Sequence, residues 1–219
     1  MDYHWTMNHI QIQSVAEGFD RQGVLQRLLT LMARVSAMGL LPEGQRIERL
    51  DDKAFRLVLK SLQACNLISG RSPVLAYITA SSRPAVSARE QILALDGLLR
   101  VVEESPVPEK EWAAMRDIFG DEELTRLLGI SLSSVKRYAV SDRETPMNIA
   151  VRLHWLAMIV ADLAGSYNEL GIRRWFHRPR GQLEGKSPLQ TLGKNWDTDS
   201  VQARHVRDLA SSLAGAGAT

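Results

Sequence analysis

The segment DEELTRLLGISLSSVKRYAVSDRETP, residues 121–146, constrains this chain most, because a glycine cuts its helical period short. Leu124, Leu127 and Leu128 recur at helical intervals and share one stripe. Gly129 then stops the helix, since glycine enters the left-handed turn conformation without a Cβ clash. Ile130 is placed to fill the angle between two helices, and Ser131 or Ser133 to cap the second. Val135 and Tyr138, three apart, face back to the core. Ser133, Ser134, Lys136 and Arg137 are left on the outside: two hydroxyls and two cations on a short exposed helix. This is the spacing of a helix-turn-helix, whose second helix fits the major groove, N-terminal residues at base edges and cations on phosphates. A plain αα-hairpin with a glycine turn has the same pattern. The outward polar and cationic face favours the DNA reader.

The 219 residues suffice for one large or two small domains. A net charge of +2 permits nucleic-acid binding without requiring it, so the distribution matters more. Between Arg173 and Lys194 six Lys or Arg face one acid, Glu184. Cys65 is the only cysteine, which excludes an intrachain disulfide and a thiolate metal cluster within one chain. The start MDYHWTMNHI has no cationic segment leading into an apolar run, so it is not read as a secretory leader. No apolar run approaches the ~18 residues of a membrane span. Cytoplasmic residence is the expectation.

In chain order, residues 1–19 are polar and aperiodic and read as loosely ordered. Leu25, Leu28, Leu29, Met32 and Val35 predict an amphipathic helix over 20–38, capped by Asp20 and ended near Gly39. A loop follows over 40–50. Asp51 or Asp52 then caps a helix that buries Phe55, Val58, Leu59, Leu62 and Cys65. Residues 72–81, SPVLAYITAS, allow a strand or a helix; with no clear second strand to pair, helix is preferred. Ser87 caps a strong helix to about Glu104. SPVPEK, residues 105–110, breaks it and marks the domain boundary. A helix over 109–119 carries Trp112, Met115 and Phe119 on one side. Beyond the helix-turn-helix, 148–164 is apolar enough to be a central buried helix. The chain is again helical from Gly165 to Gly171, irregular and basic over 172–194, and closes with a helix over 199–213 and a frayed tail. The expected fold is all-α: a helical region 1–106, a helix-turn-helix region 107–165 and a small helical domain 166–219.

The basic run holds a second constellation, WFHRPRGQLEGKSPLQTL, residues 175–192. It contains an aromatic pair, Pro179, an apolar anchor at Leu183 and Gly185 for a tight turn. Ser187-Pro188 then opens a short helix with Leu189 and Leu192 inside, and Arg178 and Arg180 are exposed. A basic connector would look much the same.

Here the chain resembles a known family. The pattern W-F-x-x-P-x-x-x-L-x-G-x-x-P-L-x-x-L is similar to the C-terminal toxin-binding domain of the Xre/MbcA/ParS antitoxins, carried by Trp175, Pro179, Leu183, Gly185, Pro188 and Leu192. Val201 and Leu209 fit the closing helix. Upstream, KRYAVSDRETP resembles the end of an Xre-type recognition helix, with Tyr138, Arg143 and Pro146 in place and Ser141 where that pattern has glycine. The resemblance spans residues 109–213 and leaves 1–106 without a counterpart. It implies a homodimeric DNA-binding antitoxin that represses its own operon from an inverted-repeat operator and covers the active site of a RES-domain, NAD-consuming toxin. Ser133, Ser134, Lys136, Arg137 and Arg143 would meet the DNA. Trp175, Phe176, Arg178, Arg180, Leu183 and Pro188 would form the partner-binding surface.

Enzyme chemistry has little support. His4, His9, His154, His177 and His205 lack metal-ligand spacing, and there is no Walker loop, GxGxxG or GxSxG. His154 reads as packed in the central helix and His177 as a partner contact. Neither a catalytic residue, a metal nor a cofactor is expected. The rival reading is a helix-turn-helix regulator, or a protein-interaction adaptor, without a toxin partner.

Overall fold

The computed structural model describes residues 5–7, 10–42, 44, 46–69 and 87–214. The chain is mostly helical and divides into two compact units, Met1–Ser105 and Pro106–Thr219. The break falls inside SPVPEK, where one helix ends at Glu104 and the next takes Pro108 into its first turn.

The first unit is not all helix. Strands β1 (Trp5–Met7), β2 (Ile10–Val15) and β3 (Ile47–Leu50) form a sheet in that order, β1 antiparallel and β3 parallel to β2. This corrects two sequence expectations, the loosely ordered 1–19 and the loop 40–50. Ile10 and Ile12 are buried while Gln11 and Gln13 are exposed, the alternation of a half-buried strand. Strands of three to six residues are too short to announce a period.

Helix α1 (Gln22–Ala37) makes the crossover that the parallel β2–β3 pair requires. Its second half, residues 31–37, is buried on all sides, Arg34 and Ser36 included. Asp20 does not cap it; that carboxylate accepts from the Gly18 N–H instead, at 3.0 Å. Helix α2 (Asp52–Ala64) is capped by Asp51, which accepts from the Ala54 N–H at 3.0 Å. Cys65, expected inside, is only half-buried at the C-terminal cap of α2. Helix α3 (Ala88–Glu104) carries a full Ser87/Glu90 capping box and packs on α1, where Arg27 Nε meets Asp96 Oδ1 at 2.5 Å. The ambiguous stretch 72–81 lies outside the described residues.

The second unit is helical throughout its described residues: α4 (Pro108–Leu128), α5 (Leu132–Ala139), α6 (Met147–Leu163), α7 (Glu169–His177), a 3-10 turn (Gly181–Leu183), α8 (Pro188–Leu192) and α9 (Val201–Ala214). The regions read as separate domains, 107–165 and 166–219, lie together in this one unit. Helix α6 is its axis: residues 153–163 are all buried, and α4 and α9 both pack on it. Helix α7 runs through Gly171 rather than ending there, so Arg173 to His177 are helical and not irregular.

A carboxylate lies in this core. Glu111 of α4 is fully buried, and its Oε1 is 2.5 Å from Nδ1 of His154 on α6, itself 5% exposed. Burial raises the Glu111 pKa above its ordinary value of 4.5, while the hydrogen bond to His154 pulls the other way without cancelling it. A raised folded pKa means that folding takes up a proton here. The stabilisation is complete below pH 4.5 and is lost as pH rises through the higher folded value. Glu111→Gln keeps an acceptor for His154 but does not titrate. The difference in melting temperature between wild type and Glu111→Gln should therefore shift against wild type as pH rises from 4.5. Parallel melting curves across that range would refute a proton uptake at this site. Glu111→Ala, which removes the buried carboxylate that faces His154, should cost about 3 kcal/mol at neutral pH, measured by urea denaturation.

Candidate nucleic-acid interface

Gly120 has φ 73° and ψ 165°, so α4 is two helices, 108–119 and 121–128, meeting at a kink. Arg116 holds the kink by a two-pronged bond to Asp121, with Nε–Oδ1 at 2.6 Å and Nη2–Oδ2 at 3.1 Å. That bond is the main cause holding the Asp121 carboxyl below its usual value, and Lys136 makes a smaller contribution. Residues 121–128 are thus an independent short helix, and Leu124, Leu127 and Leu128 are fully buried along it.

The turn follows the predicted chemistry. Gly129 is left-handed (φ 70°, ψ 29°) and its N–H reaches the Thr125 carbonyl at 3.0 Å. Ser131, not Ser133, caps α5, accepting from the Ser134 N–H. Val135 and Tyr138 are buried, and Trp112, tilted against Tyr138, donates through Nε1 to Thr145 Oγ1 at 2.9 Å. Outside, Ser133, Lys136 and Arg137 are exposed and Ser134 half-buried; Ser131 Oγ lies 2.9 Å from the hydroxyls of both Ser133 and Ser134. Lys136 and Arg137 make no ion pair among the described residues, and neither does the exposed Arg143.

Helix α5 ends in a Schellman motif. The Ser141 N–H bonds the Tyr138 carbonyl at 3.1 Å, and the Asp142 N–H bonds that of Arg137 at 3.0 Å. Ser141 has φ 57°. The serine standing where the resembled pattern has glycine adopts the glycine conformation, at a cost.

The first helix of the pair is closed from a distance. Its last carbonyls, on Leu127 and Leu128, accept from Trp196 Nε1 at 2.8 Å and from Arg152 Nη1 at 3.1 Å. The Arg152 guanidinium lies 5.6 Å from the centre of the Trp196 ring, and Trp196 packs at 4.8 Å against Trp155. The Lys194 carbonyl presses on Gly129 so closely that any Cβ there would collide with it. Sequence reasoning missed Trp196, Arg152 and Glu111. The signal available was weak: a lone tryptophan in a polar stretch, one arginine on a largely apolar helix, and one glutamate among the many charges of α4.

The structure divides the predicted partner surface in two. Trp175 and Phe176 are 1% and 0% exposed, and Leu183 and Pro188 are buried as well. These four build the unit's interior and not its exposed surface. Phe176 meets Phe119 edge-on at 5.5 Å, tying α7 to α4. The aromatic and proline spacing is a packing pattern, because large apolar groups at fixed intervals fill a core. Arg178 is exposed, whereas Arg180 is half-buried with its guanidinium 5.5 Å from the centre of the Trp175 ring. The Trp175 indole N–H and the Arg180 Nε have no acceptor among the described residues. His177 is exposed, with Nε2 2.7 Å from Glu123 Oε1 on the 121–128 helix, so it secures α7 to the helix-turn-helix.

Two substitutions test the turn from opposite sides. Gly129→Ala meets both the left-handed backbone and the Lys194 carbonyl, and should destabilise by about 2 kcal/mol or more. Ser141→Gly relieves the strained cap and should stabilise by roughly 0.5–1 kcal/mol after the glycine entropy cost. Thermal melts of both variants read the two signs directly; a destabilised Ser141→Gly would show that the cap is not strained.

No family model matches this chain, and neither a curated protein nor a solved structure is significantly similar to it.

Proposed function

We propose that this protein is a DNA-binding repressor of the antitoxin type, with residues 121–139 as its reader. The observation that carries this reading is the outer face of α5: a short capped helix, pinned from behind by Val135 and Tyr138, whose Lys136 and Arg137 are exposed and make no ion pair among the described residues. Exposed cations of this kind neutralise phosphates and release counterions. Ser133 and Ser134, in the first turn of the helix, stand where base edges are met in this motif. Arg143 adds a third exposed cation just past the helix. A homodimer would present two such helices to half-sites about 34 Å apart.

The antitoxin part rests on the resemblance over residues 175–192. With the aromatic residues buried, the toxin-facing groups are the exposed cations Arg178 and Lys186, with Arg180 contributing what its half-buried guanidinium leaves free. The proposed partner is a RES-domain toxin with an acidic or nucleotide-binding surface. Whether such a toxin is encoded beside this gene separates the reading from a plain regulator.

Lys136→Ala/Arg137→Ala should weaken operator binding and lower the slope of log affinity against log salt by about 1.8 for the two lost contacts. Fluorescence anisotropy at several salt concentrations measures both, and an unchanged slope would remove α5 from the interface. For the toxin, Arg178→Glu/Lys186→Glu should abolish protection when the pair is co-expressed, with the fold intact by circular dichroism. Full protection by that variant would place the neutralising surface elsewhere.

A further inference from the structure

The first unit, which the antitoxin resemblance does not reach, contains an open cleft between β3 and the first turns of α2, of about 670 Å³. Lys53, Arg56 and Lys60 lie along one wall at intervals of three and four residues, a single stripe on α2 opposite its buried face. Arg46 and Arg49 line the β3 side. All five are cations, and none has an ion-pair partner among the described residues. Of the acids at the cleft, Asp51 is committed to the α2 cap, and Glu48 and Asp52 leave the lining with an excess of positive charge. Ile47 and Leu57 add apolar surface between the charged groups.

We propose that this cleft binds a small molecule carrying two or more phosphates. The lining sets five cations against three carboxylates, and an anion with several charges neutralises the positive excess at once. Arginine forks on one wall match phosphate oxygens in pairs, while the lysines act as point charges. The volume lies within the roughly 300–1,000 Å³ of ordinary ligand pockets. The cations line both sides of an open cleft instead of one helix face alone, which suits a compact ligand better than a duplex. The inference does not depend on the DNA-binding reading, because its residues belong to the other unit.

The test is isothermal titration calorimetry on the full chain with inorganic tripolyphosphate as probe and orthophosphate as reference, at near-physiological salt. Tripolyphosphate should saturate one site per chain and bind at least about tenfold more tightly than orthophosphate. Arg49→Ala/Arg56→Ala should weaken tripolyphosphate at least about tenfold, whereas Lys136→Ala/Arg137→Ala leaves it unchanged. If the arginine pair lowers the melting temperature, Lys53→Ala/Lys60→Ala serves in its place with the same expectation. The proposal is overturned if tripolyphosphate does not saturate, or if removing the cleft cations leaves its affinity unchanged. Equal weakening by the α5 variant also overturns it, since that would be unspecific charge attraction. So does loss of duplex binding in Arg49→Ala/Arg56→Ala with tripolyphosphate affinity retained, which would make the cleft a nucleic-acid surface.

Discussion

The second unit depends on how the short helix 121–128 ends. A helix leaves its last carbonyls without internal partners, and burying them unmet would cost about 1–3 kcal/mol each. Here Leu127 and Leu128 receive their donors from Trp196 and Arg152, more than twenty residues downstream. Trp196 can reach only if the 193–196 segment lies directly on the turn, and Gly129 is the residue that allows the Lys194 backbone so near. The turn that presents α5 is thus built jointly by the helix-turn-helix and by the C-terminal region. This is the physical reason that the two sequence regions form one compact unit and not two domains on a linker.

Three further ties hold the same arrangement. Glu111 and His154 join α4 to α6 in the core, Phe119 and Phe176 join α4 to α7, and Glu123 joins the 121–128 helix to His177. The first two are buried, and the first is the polar one of them, so parting it carries a high penalty: a buried carboxylate would lose its hydrogen bond across the helices. A buried pair of this kind fixes helix register as well as contributing energy: α4 and α6 cannot slide by a turn without parting it. Apolar contacts along α6, which is buried nearly all round, would tolerate such a slide more readily.

How much of this was legible in the sequence follows from the range over which each feature is determined. Leu124, Leu127, Gly129, Val135 and Tyr138 act within one or two helical turns, and the periodic reading placed them correctly, while it left the cap open between Ser131 and Ser133. The Ser87 and Ser187 caps and the SPVPEK break are equally local. The strands were missed because β1 and β3 owe their existence to pairing with β2 and carry little pattern of their own. Gly171 was read as a stop although it lies within α7, since a glycine weakens a helix without having to end it. Trp175, Phe176, Leu183 and Pro188 drew attention because they are rare residues at fixed spacing. That spacing registers a constraint without saying whether the constraint is a partner or a core. Only the packing of α7 on α4, a contact more than fifty positions apart in the chain, decides for the core.

The same consideration changes the meaning of the net charge. At +2 the chain is nearly neutral on paper. Yet many of its acids are engaged internally: Glu111 with His154, Asp121 with Arg116, Glu123 with His177 and Arg126, Asp162 with Ser211 and Arg207, and Asp51 and Glu90 in helix caps. Each such acid has its field satisfied at short range. Lys136, Arg137, Arg143, Arg173, Arg174 and Arg178 in one unit, and the cleft cations of the other, have no such partner among the described residues and face solvent. The internal pairs take up cations as well, Arg116, Arg126 and Arg207 among them, so they leave the balance of charge unchanged and decide only where the remaining charge lies. Both functional readings rest on that placement: cations without an ion pair lie on the outer face of α5 in one unit and around the cleft in the other.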